Sequence, residues 1–417
     1  MYHSFANNKR CSSLLTITTI ETNGFSFSVD GHVFIVAIYR NILSFQFFSA
    51  NIKIFIWNYQ FFYVPLQINS LKVNDTTNSK MEKIDFVVTW LDSNDPEWLK
   101  QYEYYKPSSK GDLSKARFRD MNIFQYWFRA VERYAPWVNK VFVVTNGKNP
   151  NWLNINHPKL VLVKHEDYMS QEYLPTFNSC AIELSFHRIE GLSEHFVYFN
   201  DDMFLNGPAK PEYYFKNGLP CDCNKETCYN VPIFTPKERF SIYMSMLADI
   251  GIINAHFNRW RTVCQSPWRW FGIHLGIKGL IMSSILIKQR LFVGFSNFHI
   301  EQAYLKSTFE EVWGKEPNFL NASCTRFREE VIANPFIFRY WQFAKNKFYP
   351  QKRKFATFHF TEKDVVDRIN RVLNDPDIVS ICLNDTSFCT DDDFYYIDNN
   401  LKILLDKKFP NKSSFEI

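Results

Sequence analysis

The sequence predicts an α/β fold: a mainly parallel sheet flanked by helices, a Rossmann-like core, and a helical, loop-rich insertion at about 207–295. Three observations predict it. Runs such as Phe86-Val87-Val88 and Val141-Phe142-Val143-Val144 are continuously apolar, so both faces of their strands are expected to be covered. Stretches of helical period separate these runs, as crossovers between parallel strands require. The chain has 417 residues, 46% of them hydrophobic and 18% aromatic, enough for one large core or two ordinary ones.

The elements follow in order. A strand over 84–91 ends in the turn cluster Asp92-Ser93-Asn94-Asp95-Pro96. Asp120 is placed to cap a helix carrying Met121, Phe124, Phe128 and Val131 at helical spacing, which Pro136 stops. Strands are expected over 140–145 and 160–163, a helix over 178–189, and a strand over 196–199. Residues 207–295 hold Pro- and Cys-containing loops, Trp260, Trp268 and Trp270, and an apolar run at 280–287 too short to span a bilayer. They read as a lid or acceptor-facing insertion. Helices are expected over 301–313 and 331–347, a strand over 378–383 ending in Asn384-Asp385, and a last helix over 396–409.

Residues 1–80 differ from the rest and show no clear order. The run Val33-Phe34-Ile35-Val36-Ala37-Ile38-Tyr39 stops at Arg40, and 54–71 is interrupted by Asn58, Gln60, Pro65, Gln67 and Asn69, so neither reads as a spanning helix. No secretory-signal order opens the chain. Met81 reads as an alternative start, with 81–417 the catalytic domain. The other reading of 1–80 is a membrane-associating extension.

Composition narrows the partners. A formal net charge of +5, with no dense basic stripe beyond Lys352-Arg353-Lys354, does not call for nucleic acid and suits an anionic substrate or a membrane surface. Nine scattered cysteines, an odd number, suit a reducing compartment rather than a disulfide framework. Cys221, Cys223 and Cys228 make only three thiols with no histidine close behind, so a loop is the better reading than a zinc site.

Three strand ends carry acids or amides: Asp92 with Asp95, Asn200 with Asp201 and Asp202, and Asn384 with Asp385. Such ends share one edge of an α/β sheet, where ligands bind. Adjacent carboxylates repel unless a cation or proton separates them, and Mg²⁺ or Mn²⁺ prefers hard oxygen donors together with substrate phosphates. Each pair alone is more often a solvated turn; three in one domain point to a site. Arg117 and Arg119 precede one helix, and Arg326 and Arg328 another; arginine suits bidentate phosphate contact, although alone each reads as a surface residue. His299 lies between apolar residues, the usual setting of a core or cap histidine; facing a cleft, it suits proton abstraction from a sugar hydroxyl.

From Met81 onward the chain resembles the Stealth family of sugar-phosphate transferases. The resemblance is carried by four blocks in order. They are Thr89-Trp90-Leu91-Asp92-Ser93-Asn94-Asp95-Pro96; Arg117-Phe118-Arg119-Asp120 through Leu174-Pro175-Thr176-Phe177-Asn178-Ser179 to Asn200-Asp201-Asp202-Met203-Phe204; His299-Ile300-Glu301-Gln302 with Arg326-Phe327-Arg328; and Cys382-Leu383-Asn384-Asp385. Two positions depart from the family pattern: Leu91-Ser93 replaces its usual Val and Gly, and Glu301 stands near a frequent Pro.

The resemblance implies a nucleotide-sugar-transferase-like fold. The implied enzyme moves a sugar-1-phosphate from a nucleotide sugar to an acceptor sugar hydroxyl in a capsular or other cell-surface polysaccharide, with loss of a nucleoside monophosphate. It implies Asp202 and Asp385, helped by Asp201 and Asn384, on Mg²⁺ or Mn²⁺; Arg328 and Arg119 on phosphate; His299 as base; and Asp92, Asp95, Arg117, Asn178 and Asn200 around the substrates. An ordinary metal-dependent glycosyltransferase releasing nucleoside diphosphate is the alternative enzyme, and a non-catalytic carbohydrate-binding protein is the alternative from another class. The expected location is cytoplasmic, compatible with a peripheral seat at the inner face of a membrane beside a polysaccharide assembly complex. If Met81 is the start, mass spectrometry of the natively expressed protein will find no peptide from before it; one such peptide rejects that reading.

Overall fold

The computed structural model describes strands between residues 18 and 57. From residue 82 on it describes everything except 107–118, 120, 230–236, 329–331 and 387, and it leaves out the side chains of 237–239. The chain divides into two units, Met1–Asn78 and Ser79–Ile417.

In the first unit five strands form an antiparallel meander: β1 (Thr18–Ile20), β2 (Gly24–Val29), β3 (His32–Tyr39), β4 (Ile42–Phe47) and β5 (Ile52–Trp57). This corrects the expectation of no clear order: the apolar run at 33–39 is a strand, with Tyr39 paired to Ile42.

The second unit is the α/β domain the patterning predicts. Its main sheet contains β6 (Ile84–Thr89), β7 (Val141–Thr145), β8 (Leu160–Lys164) and β9 (His195–Phe199), mutually parallel in the order β9-β6-β7-β8. Phe86, Val87, Val88, Val141, Val143, Val144, Phe196, Val197 and Phe199 are all fully buried, which explains their continuous apolar pattern. Helices cover it; one of them, Phe124–Tyr134, turns Trp127, Phe128 and Val131 into the core. That helix starts four residues after Asp120: its N-cap is Ile123, with no side-chain cap, while Asp120 lies outside the described residues.

Two sequence expectations change in ways that build the site. Residues 301–305 are not the start of a helix. They form β13 (Gln302–Leu305), antiparallel to β9, and the helix Lys306–Lys315 follows. Because β13 runs backwards, His299 enters at the edge where the parallel strands end. The strand near 380, β16 (Ser380–Asn384), belongs not to the main sheet but to a small one, with β10 (Met203–Leu205) antiparallel on one side and β15 (Phe355–His359) parallel on the other.

One buried ion pair anchors the insertion and another braces it from within. β11 (Phe215–Lys216) and β12 (Leu219–Asp222) form a hairpin, and β12 also pairs with β14 (Tyr349–Pro350). Asp222 accepts two hydrogen bonds from Arg339, at 2.6 and 3.0 Å, and Glu226 accepts two from Arg259, at 2.6 and 2.7 Å. Cys221 and Cys223 are buried, and their thiols donate to the carbonyls of Glu212 and His274. Among the described residues no helix is long and apolar enough to cross a membrane.

Removing one partner leaves the other charge buried and unpaired. Arg339→Met is expected to cost about 3–5 kcal/mol of stability, read as a lower urea midpoint. An unchanged midpoint would show that Asp222 finds another partner.

Candidate functional site

Asp202 is the centre of the site. β9 ends at Phe199, Asn200 to Asp202 make the turn, and β10 begins at Met203. Met203 pairs with Cys382, and Leu383 N donates to Asp202 O at 2.8 Å, so the β10–β16 register brings Asp202 against Cys382. His299 arrives from the segment ahead of β13. The donor atoms of Asp202, His299 and Cys382 all lie within 4.8 Å of one another.

Asp202 Oδ2 accepts from His299 Nε2 at 3.2 Å and from the Cys382 thiol at 3.3 Å, while its other oxygen, Oδ1, is buried and makes no hydrogen bond. Burial alone would raise the Asp202 carboxyl, but the charge of His299 and the bonds from His299 and Cys382 hold it below its ordinary 3.8. For His299, burial works downward; the Asp202 charge and hydrogen bond, with Glu183 and Asp201, outweigh it and raise the imidazole above 6.5. The imidazole side chain is 41% exposed, so one edge of it faces outward. Burial first, then Asp202, pushes the Cys382 thiol well up, so it stays protonated and acts as a donor.

Sequence reasoning missed Glu183. It sits on the helix Ser179–Leu184, four residues after Ser179 and on the same face. Burial raises its carboxyl to about 7, against the lowering pull of Arg328, His299 and a hydrogen bond from Tyr198. The available signal was an acid inside an apolar turn, Ala181-Ile182-Glu183-Leu184, one helical turn after a side chain that Arg328 touches.

Arg328 donates to Ser179 Oγ at 2.7 Å, and its Nε is buried without a partner. Asn178 explains how it is held. Its side-chain oxygen caps the helix through Cys180 N, and its Nδ2 donates to Thr325 O at 3.2 Å. Phe177 N also donates to Arg326 O, and the Arg326 guanidinium binds the carbonyls of Leu174 and Pro175. Asn178 and Arg326 therefore tie two distant segments together, and Arg328 projects from that tie.

The other expected residues sit elsewhere or in other company. Arg119 forms a bidentate pair with Asp385, at 2.7 and 3.0 Å, reaches Asp391 at 3.1 Å, and packs on the Phe394 ring. Asp385 is thus held by an arginine, and Asn384 Nδ2 meets His359 Nδ1 at 3.1 Å. Asp92 closes its own turn by accepting from Asn94 N at 2.9 Å. Asp95 caps the helix Pro96–Tyr105. Asn200 accepts from the Tyr198 hydroxyl, and Asp201 is exposed beside the cluster. Arg117 lies outside the described residues.

The donor chemistry admits a divalent ion. A buried carboxylate oxygen with no hydrogen-bond partner is a hard ligand, and the exposed Asp201 adds charge nearby.

Residues 117–221 match the family model described as Stealth protein CR2, conserved region 2. Over 340 residues the chain is 40% identical to a capsular polysaccharide phosphotransferase, WcwK, of Streptococcus pneumoniae, covering 81% of this chain and 98% of that protein. It is 37% identical to a receptor polysaccharide phosphotransferase, WefC, of Streptococcus gordonii, covering 81% and 100%. A solved galactosyltransferase, LgtC, in complex with donor and acceptor sugar analogues, is 8% identical with a TM-score of 0.31, over 79% of this chain and 98% of that one.

The signs of the two shifts define a window. A raised histidine stabilises the fold below its ordinary value and loses that effect as pH rises through its folded value; a lowered aspartate does so above its ordinary value and loses it as pH falls. The His299–Asp202 pair is therefore fully formed between about 4 and 6.5. With Asp202→Asn, burial prevails, and the His299 titration followed by NMR should shift downward. An unmoved midpoint would remove Asp202 as the cause.

Proposed function

The chain belongs to the Stealth family and is an enzyme, a phosphotransferase of cell-surface polysaccharide synthesis; from that membership we propose that it transfers a sugar-1-phosphate from a nucleotide sugar to an acceptor sugar hydroxyl. The observation that carries the reading is the Asp202–His299 pair with one bare, buried carboxylate oxygen, flanked by Arg328. The acceptor oxygen bonds to phosphorus, and the phosphorus–oxygen bond to the nucleoside monophosphate breaks. The leaving monophosphate keeps the bond's electron pair. Charge on the phosphate oxygens dominates the barrier, so alignment and neutralisation are the main tasks.

His299, its Nε2–H held by Asp202, receives the acceptor's proton at Nδ1, and Asp202 orients the ring and stabilises the imidazolium that results. Arg328, steadied by Ser179 and by the Asn178–Thr325 tie, offers its guanidinium to phosphate oxygens. Glu183 balances the charges of Arg328 and His299. Asp202 Oδ1, with Asp201 beside it, would hold Mg²⁺ or Mn²⁺, which supplies positive charge opposite the diphosphate. Asn384 and Asp385 support this edge from β16, with Asp385 fixed by Arg119. Asp92, Asp95 and Asn200 shape the rim, while the fully buried Asn178 acts through its tie to Thr325.

Incubation with a panel of nucleotide sugars and Mn²⁺, read by phosphorus NMR, should yield a phosphodiester resonance and nucleoside monophosphate. Nucleoside diphosphate without that resonance would instead mean transfer at the anomeric carbon. Asp202→Ala should abolish turnover with the fold intact, and retained turnover at saturating metal would remove it from the ion. His299 must be neutral to accept a proton, so turnover should rise with pH through a midpoint above 6.5. His299→Ala should lower turnover more than donor binding; a variant with the parent's pH profile would exclude it as the base.

A further inference from the structure

The helix Gly276–Ile285, with the turn Ile273–Leu275 ahead of it, is built inside out. Its inward positions are Leu275, Gly279, Ser283 and Ser284, mostly small or polar. Its outward positions are Ile277, Ile281 and Ile285, four residues apart and therefore on one face, at 61%, 42% and 60% exposure, and Ile273 in the preceding turn is 91% exposed. A helix with water on that side would carry the reverse pattern. Leu291, just beyond, is also exposed.

Charge distinguishes the occupants of such a face. From 250 to 300 the sequence has no Asp or Glu but holds Arg259, Arg261, Arg269, Lys278, Lys288 and Arg290. Arg259 is buried on Glu226, whereas Arg261, Lys278, Lys288 and Arg290 are exposed. A second copy of the chain would bring one basic rim against another. An anionic surface complements both the rim and the apolar stripe. Ten helical residues reach about 15 Å, against a hydrocarbon core of about 30 Å, so this helix can lie in a bilayer interface but not cross it.

We propose that Ile273, Ile277, Ile281 and Ile285, framed by Lys278, Lys288 and Arg290, seat the protein on the surface of an anionic phospholipid bilayer. The isoleucines enter the boundary between headgroups and acyl chains while the basic residues meet lipid phosphates. The seat does not depend on the transfer reaction.

The test uses the full chain and co-sedimentation with vesicles of phosphatidylcholine, with and without phosphatidylglycerol. The protein should sediment with the anionic vesicles far more than with the neutral ones. Ile277→Gln combined with Ile281→Gln should weaken this partition about 10-fold or more, with the thermal midpoint unchanged because both positions are exposed. Lys278→Gln with Lys288→Gln should erase most of the anionic preference. The proposal is overturned if the parent protein ignores vesicles or if the isoleucine variant partitions like the parent. It is equally overturned if size-exclusion shows that the isoleucine change dissociates a dimer that has no vesicle binding.

Discussion

One carboxylate with two differently treated oxygens organises the edge where the strands of the main sheet end. Asp202 Oδ2 is shared by an imidazole and a thiol, and Oδ1 is buried with nothing to bind. A buried polar atom without a partner is costly unless a ligand completes it. The turn between β9 and β10 cannot avoid this position, because the β10–β16 ladder fixes Asp202 against Cys382 and the reversed β13 fixes His299. The surrounding pKa values follow from it. His299 is more basic because Asp202 is there, and Cys382 remains a thiol because burial and the same negative charge oppose its ionisation.

Around that centre the positive charges divide their work. Arg119 and Arg326 are spent on structure: the first closes on Asp385, the second on two backbone carbonyls. Arg328 keeps one buried nitrogen unpaired and faces Glu183. An arginine with unsatisfied donors near an exposed imidazole edge suits an anionic substrate better than one already forked onto a carboxylate. The acids Asp222, Glu226 and Glu301 are likewise structural, each buried on its own arginine. The Asp222–Arg339 pair anchors the insertion to the α/β core, and the Glu226–Arg259 pair braces the insertion from within.

Much of the fold was legible in the sequence. The apolar runs within 84–91, 140–145 and 196–199 read as strands covered on both faces, and they are strands with buried residues at nearly every position. The acids after them were legible as well, since turn residues after a buried strand stand at the sheet edge. The direction and sheet of the later strands were not legible. Residues 302–305 resemble the start of a helix locally, yet become a strand because β9 offers an unpaired edge. The meander at 18–57 was also missed, because strand pairing is a property of neighbours rather than of any single run.

The sequence by itself determined which groups exist and roughly which of them end strands: Asp92, Asn200, Asp201, Asp202, Asn384 and Asp385. Only the tertiary structure decided what each one does. Asp95 became a cap, Asp385 an anchor for Arg119, and Asp202 the centre, while Glu183, unremarkable in the sequence, became a half-buried acid with a near-neutral pKa. The reason is physical. Residue type sets the charge a side chain can carry, but partners, burial and distance set what that charge costs, and those are settled by segments a hundred or more residues apart.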